Sequence, residues 1–69
     1  MKEVLEYLQE VQARLHGKAT MSVQTFDNGA MIASVFDKND KPHTFHFAEY
    51  TDKAEELLKF NKLINEIEQ

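Results

Sequence analysis

The stretch TMSVQTFDNGAMIASVFDKNDKPHTFHFA, residues 20–48, decides the fold. It contains three β-rich runs separated by two turn sequences, which is the pattern of an antiparallel meander. Asn28 and Gly29 supply the first turn, because both residues tolerate the positive φ angles of a two-residue type I′ turn. The second turn lies between Lys38 and Lys41, just before Pro42.

A two-residue first turn sets the strand register and therefore the two faces of the sheet. It places Phe26 opposite Met31, and a second loop with an even number of residues places Asp37 opposite Pro42. An odd, bulged loop at either turn would break this arrangement. The predicted core face then comprises Met21, Val23, Ile32, Phe36, Phe45 and Phe47. The predicted open face comprises Ser22, Gln24, Phe26, Met31, Ala33, Val35, Thr44, His46 and Ala48.

Two amphipathic helices flank the meander. Apolar residues recur at helical spacing over residues 2–16 and again over residues 53–67. Thr51 or Asp52 is the N-cap of the second helix, and Asp52 with Glu55 has the spacing of a capping box. We therefore expect an α+β fold of order αβββα, in which both helices pack on one face of a three-stranded antiparallel meander.

Composition limits the class of protein. The chain of 69 residues is expected to form a single domain over residues 1–69, and its 42% hydrophobic content is too high for a disordered chain. Cysteine is absent, and the longest apolar run extends only from Ala30 to Ala33. We expect a cytoplasmic protein that does not span a membrane. A net charge of −4, without a basic segment, argues against binding to nucleic acid.

No group of residues has the spacing of a catalytic or metal site. His43 and His46 are three residues apart in a strand, so they point to opposite faces and cannot chelate one ion. The stretch from Asp37 resembles the start of a calcium loop, but Pro42 occupies the position that requires glycine. Ser34 has no defined base beside it. We predict no enzyme activity, no metal and no cofactor.

The predicted open face and the first strand's edge are the two surfaces available to a partner. The edge from Thr20 to Phe26 contains no proline or lysine that would block strand pairing. We expect a non-enzymatic protein-binding module, an accessory or regulatory factor, that forms a homodimer or binds another protein. The predicted partner-binding residues are Phe26, Met31, Ala33, Val35 and His46.

Two resemblances supply the alternatives. The αβββα order is similar to the topology of double-stranded RNA-binding domains, which implies direct RNA or DNA binding. Where that family has a lysine cluster, residues 51–56 contain one lysine and three acids. A small acidic domain of this layout also resembles phage inhibitors that bind nucleic-acid-handling enzymes through carboxylates. The carboxylates that would serve this second alternative are Glu49, Asp52, Glu55, Glu56, Asp37 and Asp40.

Overall fold

Two helices cover one face of a three-stranded sheet in the computed structural model, which describes residues 2–69. The strands pair antiparallel in the order β1-β2-β3. This arrangement confirms the predicted α+β fold of order αβββα. The elements are α1 (Lys2–Arg14), β1 (Thr20–Thr25), β2 (Met31–Phe36), β3 (Pro42–Phe47) and α2 (Lys53–Glu68).

Helix α2 begins at the predicted cap. The Asp52 side chain accepts a hydrogen bond of 3.1 Å from the backbone N–H of Glu55, so Asp52 rather than Thr51 is the N-cap. Helix α1 ends at Arg14, two residues before the predicted end, and Gly17 follows with a φ of 84°. A positive φ suits glycine, which lacks the Cβ that crowds this region.

Both hairpin loops contain three residues, so the prediction of even loops is wrong. In the first hairpin, the N–H of Phe26 donates to the carbonyl of Ala30 over 2.9 Å, which leaves residues 27–29 in the loop. In the second, the N–H of Asp37 donates to the carbonyl of Lys41 over 3.1 Å. Each loop is a tight turn followed by one residue with positive φ, the arrangement of a bulged three-residue hairpin.

This loop length inverts the predicted orientation of β2. Thr25 rather than Phe26 pairs with Met31, and Phe36 rather than Asp37 pairs with Pro42. A shift of one residue moves every side chain of a strand to the other face. The prediction that Met31, Ala33 and Val35 lie on the open face is therefore wrong, since all three are buried beneath the helices. The prediction that Ile32 and Phe36 belong to the core is wrong for the same reason.

The core lies between the sheet and the two helices. Phe60 of α2 is at its centre, with its ring edge-on to Phe45 at 5.3 Å and to Tyr7 at 6.2 Å between centroids. Met21, Phe45 and Phe47 are buried, as the sequence predicted. The other buried apolar residues in this cluster are Leu8, Val11, Leu15, Met31, Ala33, Val35, Ile64 and Ile67.

Polar contacts at the rim of the core connect distant parts of the chain. The guanidinium of Arg14 lies 2.6 Å from a carboxylate oxygen of Glu68, and the Tyr7 hydroxyl donates to the side-chain oxygen of Asn61. Both contacts join α1 to α2. The side chain of Gln12 donates to the carbonyl of Met21 over 2.8 Å, which holds α1 against β1.

Candidate functional site

The uncovered face of the sheet has no charged residue. Charged residues make up 29% of the chain, yet β1, β2 and β3 contain no lysine, arginine, aspartate or glutamate. Strand alternation and the burial pattern assign nine strand residues to this surface, which we call the open face. They are Thr20, Ser22, Gln24, Ile32, Ser34, Phe36, Pro42, Thr44 and His46.

The open face consists of three rows that run across the strands. The central row contains only hydroxyl side chains, those of Ser22, Ser34 and Thr44. Each outer row has an apolar residue of β2 at its middle: Phe36 lies between Thr20 and Pro42, and Ile32 lies between Gln24 and His46. Apolar groups therefore lie on both sides of a hydroxyl row.

A shallow cleft of about 510 Å³ lies at the Ile32 end of the open face. Phe26 and Tyr50 stand at this cleft with 46% and 85% of their surfaces exposed. His46, Ile32 and the edge of Met31 also line it. Phe26 directly follows β1, and Tyr50 lies in the segment after β3.

Three of the five predicted partner-binding residues meet at this cleft: Phe26, Met31 and His46. Ala33 and Val35 do not, because both are fully buried under the helices. Sequence reasoning placed Ile32 in the core and did not select Tyr50. An aromatic residue in the short connection between β3 and α2 was the available signal for Tyr50.

The two edges of the sheet differ, and the β3 edge is the obstructed one. The backbone hydrogen bond between Asp37 and Lys41 shows that Lys41 directs its backbone groups towards β2. Because this direction alternates along a strand, the even-numbered residues of β3 direct their backbone groups away from β2. Pro42 has no N–H to donate. A carboxylate oxygen of Glu56 accepts the N–H of His46 over 3.0 Å.

The β1 edge has free backbone groups. The N–H of Phe26 points towards β2, so the odd-numbered residues of β1 direct their backbone groups outward. The bond from Gln12 to the carbonyl of Met21 confirms this orientation and occupies one outward group. The outward backbone N–H and carbonyl groups of Val23 and Thr25 have no hydrogen-bond partner among residues 2–69.

One histidine and one carboxylate interact at the second hairpin. Nε2 of His43 lies 3.0 Å from Oδ2 of Asp37, and the other carboxylate oxygen accepts the N–H groups of Asn39 and Lys41. The His43 hydrogen bond is the main reason that the pKa of Asp37 is below its usual range, and the backbone bonds add to the effect. These contacts stabilise the loop and leave no oxygen of Asp37 without a partner.

Most carboxylates proposed for an acidic inhibitor also have partners within the protein. Asp52 caps α2, and Glu55 and Glu56 each lie 3.6 Å from the ammonium of Lys59. Glu56 and Asp37 accept further hydrogen bonds. This internal use weakens the inhibitor alternative, which stays a prediction.

Within residues 2–69, no group of three or more histidine and acidic side chains could hold a metal ion. No helix in the same range is both long and apolar enough to cross a membrane. Compared with known proteins, the chain matches no protein-family model, no curated protein and no solved structure.

Proposed function

We propose that this protein is a non-enzymatic protein-binding module, an accessory or regulatory factor, that forms a homodimer by stacking the open faces of two copies. The row pattern of the open face is the observation that carries the proposal. Antiparallel sheets often expose one face to water, but an exposed face without charges is typical of an interface. A cytoplasmic location remains part of the prediction.

The row pattern makes the open face complementary to itself. A two-fold axis that lies between two stacked sheets and passes over Ser34 places the hydroxyl row against its own copy. The apolar centres of the outer rows, Phe36 and Ile32, then face apolar centres of the partner. Apolar centres face one another whether the axis is parallel or perpendicular to the strands, because each outer row has an apolar residue at its middle.

Charge favours the same surface for self-association. Each copy has a net charge of −4, and two such copies repel one another. All acidic and basic residues lie outside the strands, in the helices, loops and termini. Contact through the open faces therefore brings no like charges into direct opposition.

The open face is small, which limits the strength of the dimer. Three strands of six residues form a surface of roughly 20 Å by 14 Å. Stable interfaces bury about 800 Å² on each partner, and this surface is smaller. We expect a weak dimer whose population rises with protein concentration.

Light scattering on protein eluting from a sizing column tests the proposal. The mass should rise from 8.0 kDa at low concentration towards twice that value at high concentration. It should change little with salt, because the stacked faces have no charges. The double substitution Ile32→Asp with Phe36→Asp should keep the protein monomeric, because it places carboxylates on both apolar centres.

Leu58→Asp is the matched control. Leu58 is an apolar residue with 72% of its surface exposed, but it lies on α2, away from the open face. This variant should dimerise like the wild type. A wild type that is monomeric at every concentration, or a dimer that survives the double substitution, would contradict stacking through the open face.

A further inference from the structure

We infer that the edge of β1 binds an extended segment of a partner protein as an added fourth strand. The inference concerns a different surface from the open face and does not depend on homodimer formation. It rests on the free backbone groups of Val23 and Thr25, on the position of α1, and on a pocket next to this edge.

Val23 and Thr25 offer two N–H and two carbonyl groups in the spacing that an added strand requires. Residues two apart in a strand present their outward groups along one line, and an antiparallel partner residue can exchange two hydrogen bonds with each of them. The edge has no side-chain charge that would prevent this pairing, since β1 contains none. Recognition of this kind is known as strand addition.

The position of α1 favours a peptide over a second copy paired antiparallel. Helix α1 packs over β1, and Gln12 reaches the outward carbonyl of Met21. A second copy paired antiparallel through β1 would have its own α1 on the same side of the sheet. Neighbouring strands are about 4.8 Å apart, whereas packed helix axes need about 8–10 Å, so the two α1 helices would collide. A lone extended segment has no such helix.

A pocket beside the edge indicates which side chain the segment presents. It has a volume of about 260 Å³ and lies between the start of α1 and the end of β1. Leu5, Phe26 and Met31 give it apolar walls, and Thr25 lies at its side. An extended segment with an apolar side chain beside Thr25 therefore fits the edge and the pocket together.

Amide hydrogen exchange on the whole protein provides the test. Random peptides of about twelve residues, displayed on phage, are selected against the protein, and the most enriched peptide is synthesised with capped ends. Saturating amounts of this peptide should slow exchange at the amides of Val23 and Thr25 by roughly tenfold or more. The amide of Gln24 already bonds to β2 and should change little.

Two matched proline substitutions locate the binding surface. Thr25→Pro removes an outward N–H from the β1 edge and should reduce peptide affinity by roughly tenfold or more. Thr44→Pro makes the same change at the β3 edge and should leave affinity unaltered. Should Thr25→Pro fail to fold, the exchange measurement on the wild type still decides the question.

Three results would overturn the inference. One is that selection enriches no peptide, and another is that the peptide alters exchange around Ser34 and Thr44 while Val23 and Thr25 stay unprotected. The third is protection of Val23 and Thr25 that appears without peptide as the protein concentration rises, because this would show that a second copy occupies the edge.

Discussion

Gly29 and Asp40 occupy equivalent positions in the two hairpin loops. Each is the third loop residue, and their φ angles are 89° and 63°. The sequence located both turns correctly but could not give their length. Asn-Gly suits a two-residue type I′ turn, and glycine equally suits the last position of a three-residue loop. The hydrogen bonds between the two strands of the hairpin decide which loop length forms, and the identity of a single loop residue does not reveal these bonds.

Gly29→Ala should lower the free energy of unfolding by about 1 kcal/mol, because alanine resists a positive φ. An added Cβ would meet no atom within 4 Å, so the cost is conformational and not steric. Chemical denaturation measures the difference. Gly29→Asn is the control and should cost less, since asparagine tolerates this region. Equal stability of the alanine variant and the wild type would show that Gly29 does not have a positive φ.

Asp37 should titrate below the usual range of an aspartate, because His43 and two backbone N–H groups stabilise its ionised form. His43→Ala should raise the pKa of Asp37, and NMR titration of the carboxyl group measures both values. A lowered pKa in the folded state adds stability above the pKa of the unfolded chain. That stability is lost as the pH falls through the lower, folded value.

The interaction between His43 and Asp37 therefore predicts that the folded protein loses stability at acidic pH. Wild type should lose more stability than His43→Ala as the pH falls below about 4, the ordinary range of aspartate. Denaturation curves recorded at neutral and acidic pH give this comparison. An Asp37 pKa that is unchanged by His43→Ala would show that the backbone bonds alone lower it.

The orientation of β2 shows how errors in element placement combine. The predicted length of each loop was wrong by one residue, and each error turned β2 over relative to a neighbouring strand. The two errors cancel between β1 and β3, so Met21, Phe45 and Phe47 were assigned to the core correctly. Hydrophobicity could not correct β2, because Ile32 and Phe36 are as apolar as the residues that are buried.

Aspartate substitutions on the two faces of β2 test its orientation. Met31→Asp with Val35→Asp should unfold the protein, because these side chains are 3% and 0% exposed and a buried carboxylate costs several kcal/mol. Ile32→Asp with Phe36→Asp should retain the helical circular dichroism signal, since both residues lie on the open face. The reverse outcome would show that β2 faces the other way.

At the scale of the whole molecule, the contacts that the sequence could not predict are those between residues far apart in the chain. Arg14 has Glu10 at helical spacing, yet it binds Glu68 at the end of α2. Tyr7 and Asn61 join the same two helices. The same dependence on distant contacts affects the predicted partner-binding residues. Phe26 and His46 are exposed whichever way β2 faces, so the sequence could identify them as surface residues. The exposure of the β2 residues depends on the loop lengths, which the sequence did not give.

The difference between the two sheet edges also limits polymerisation. A sheet that grows into a fibre must accept a new strand at one edge and offer another edge to the next molecule. Here Pro42 and the bond from His46 to Glu56 interrupt the backbone ladder of β3. Copies of this chain therefore cannot join in series from the β3 edge of one to the β1 edge of the next. An open edge on one side alone does not make this molecule a repeating unit of a fibre.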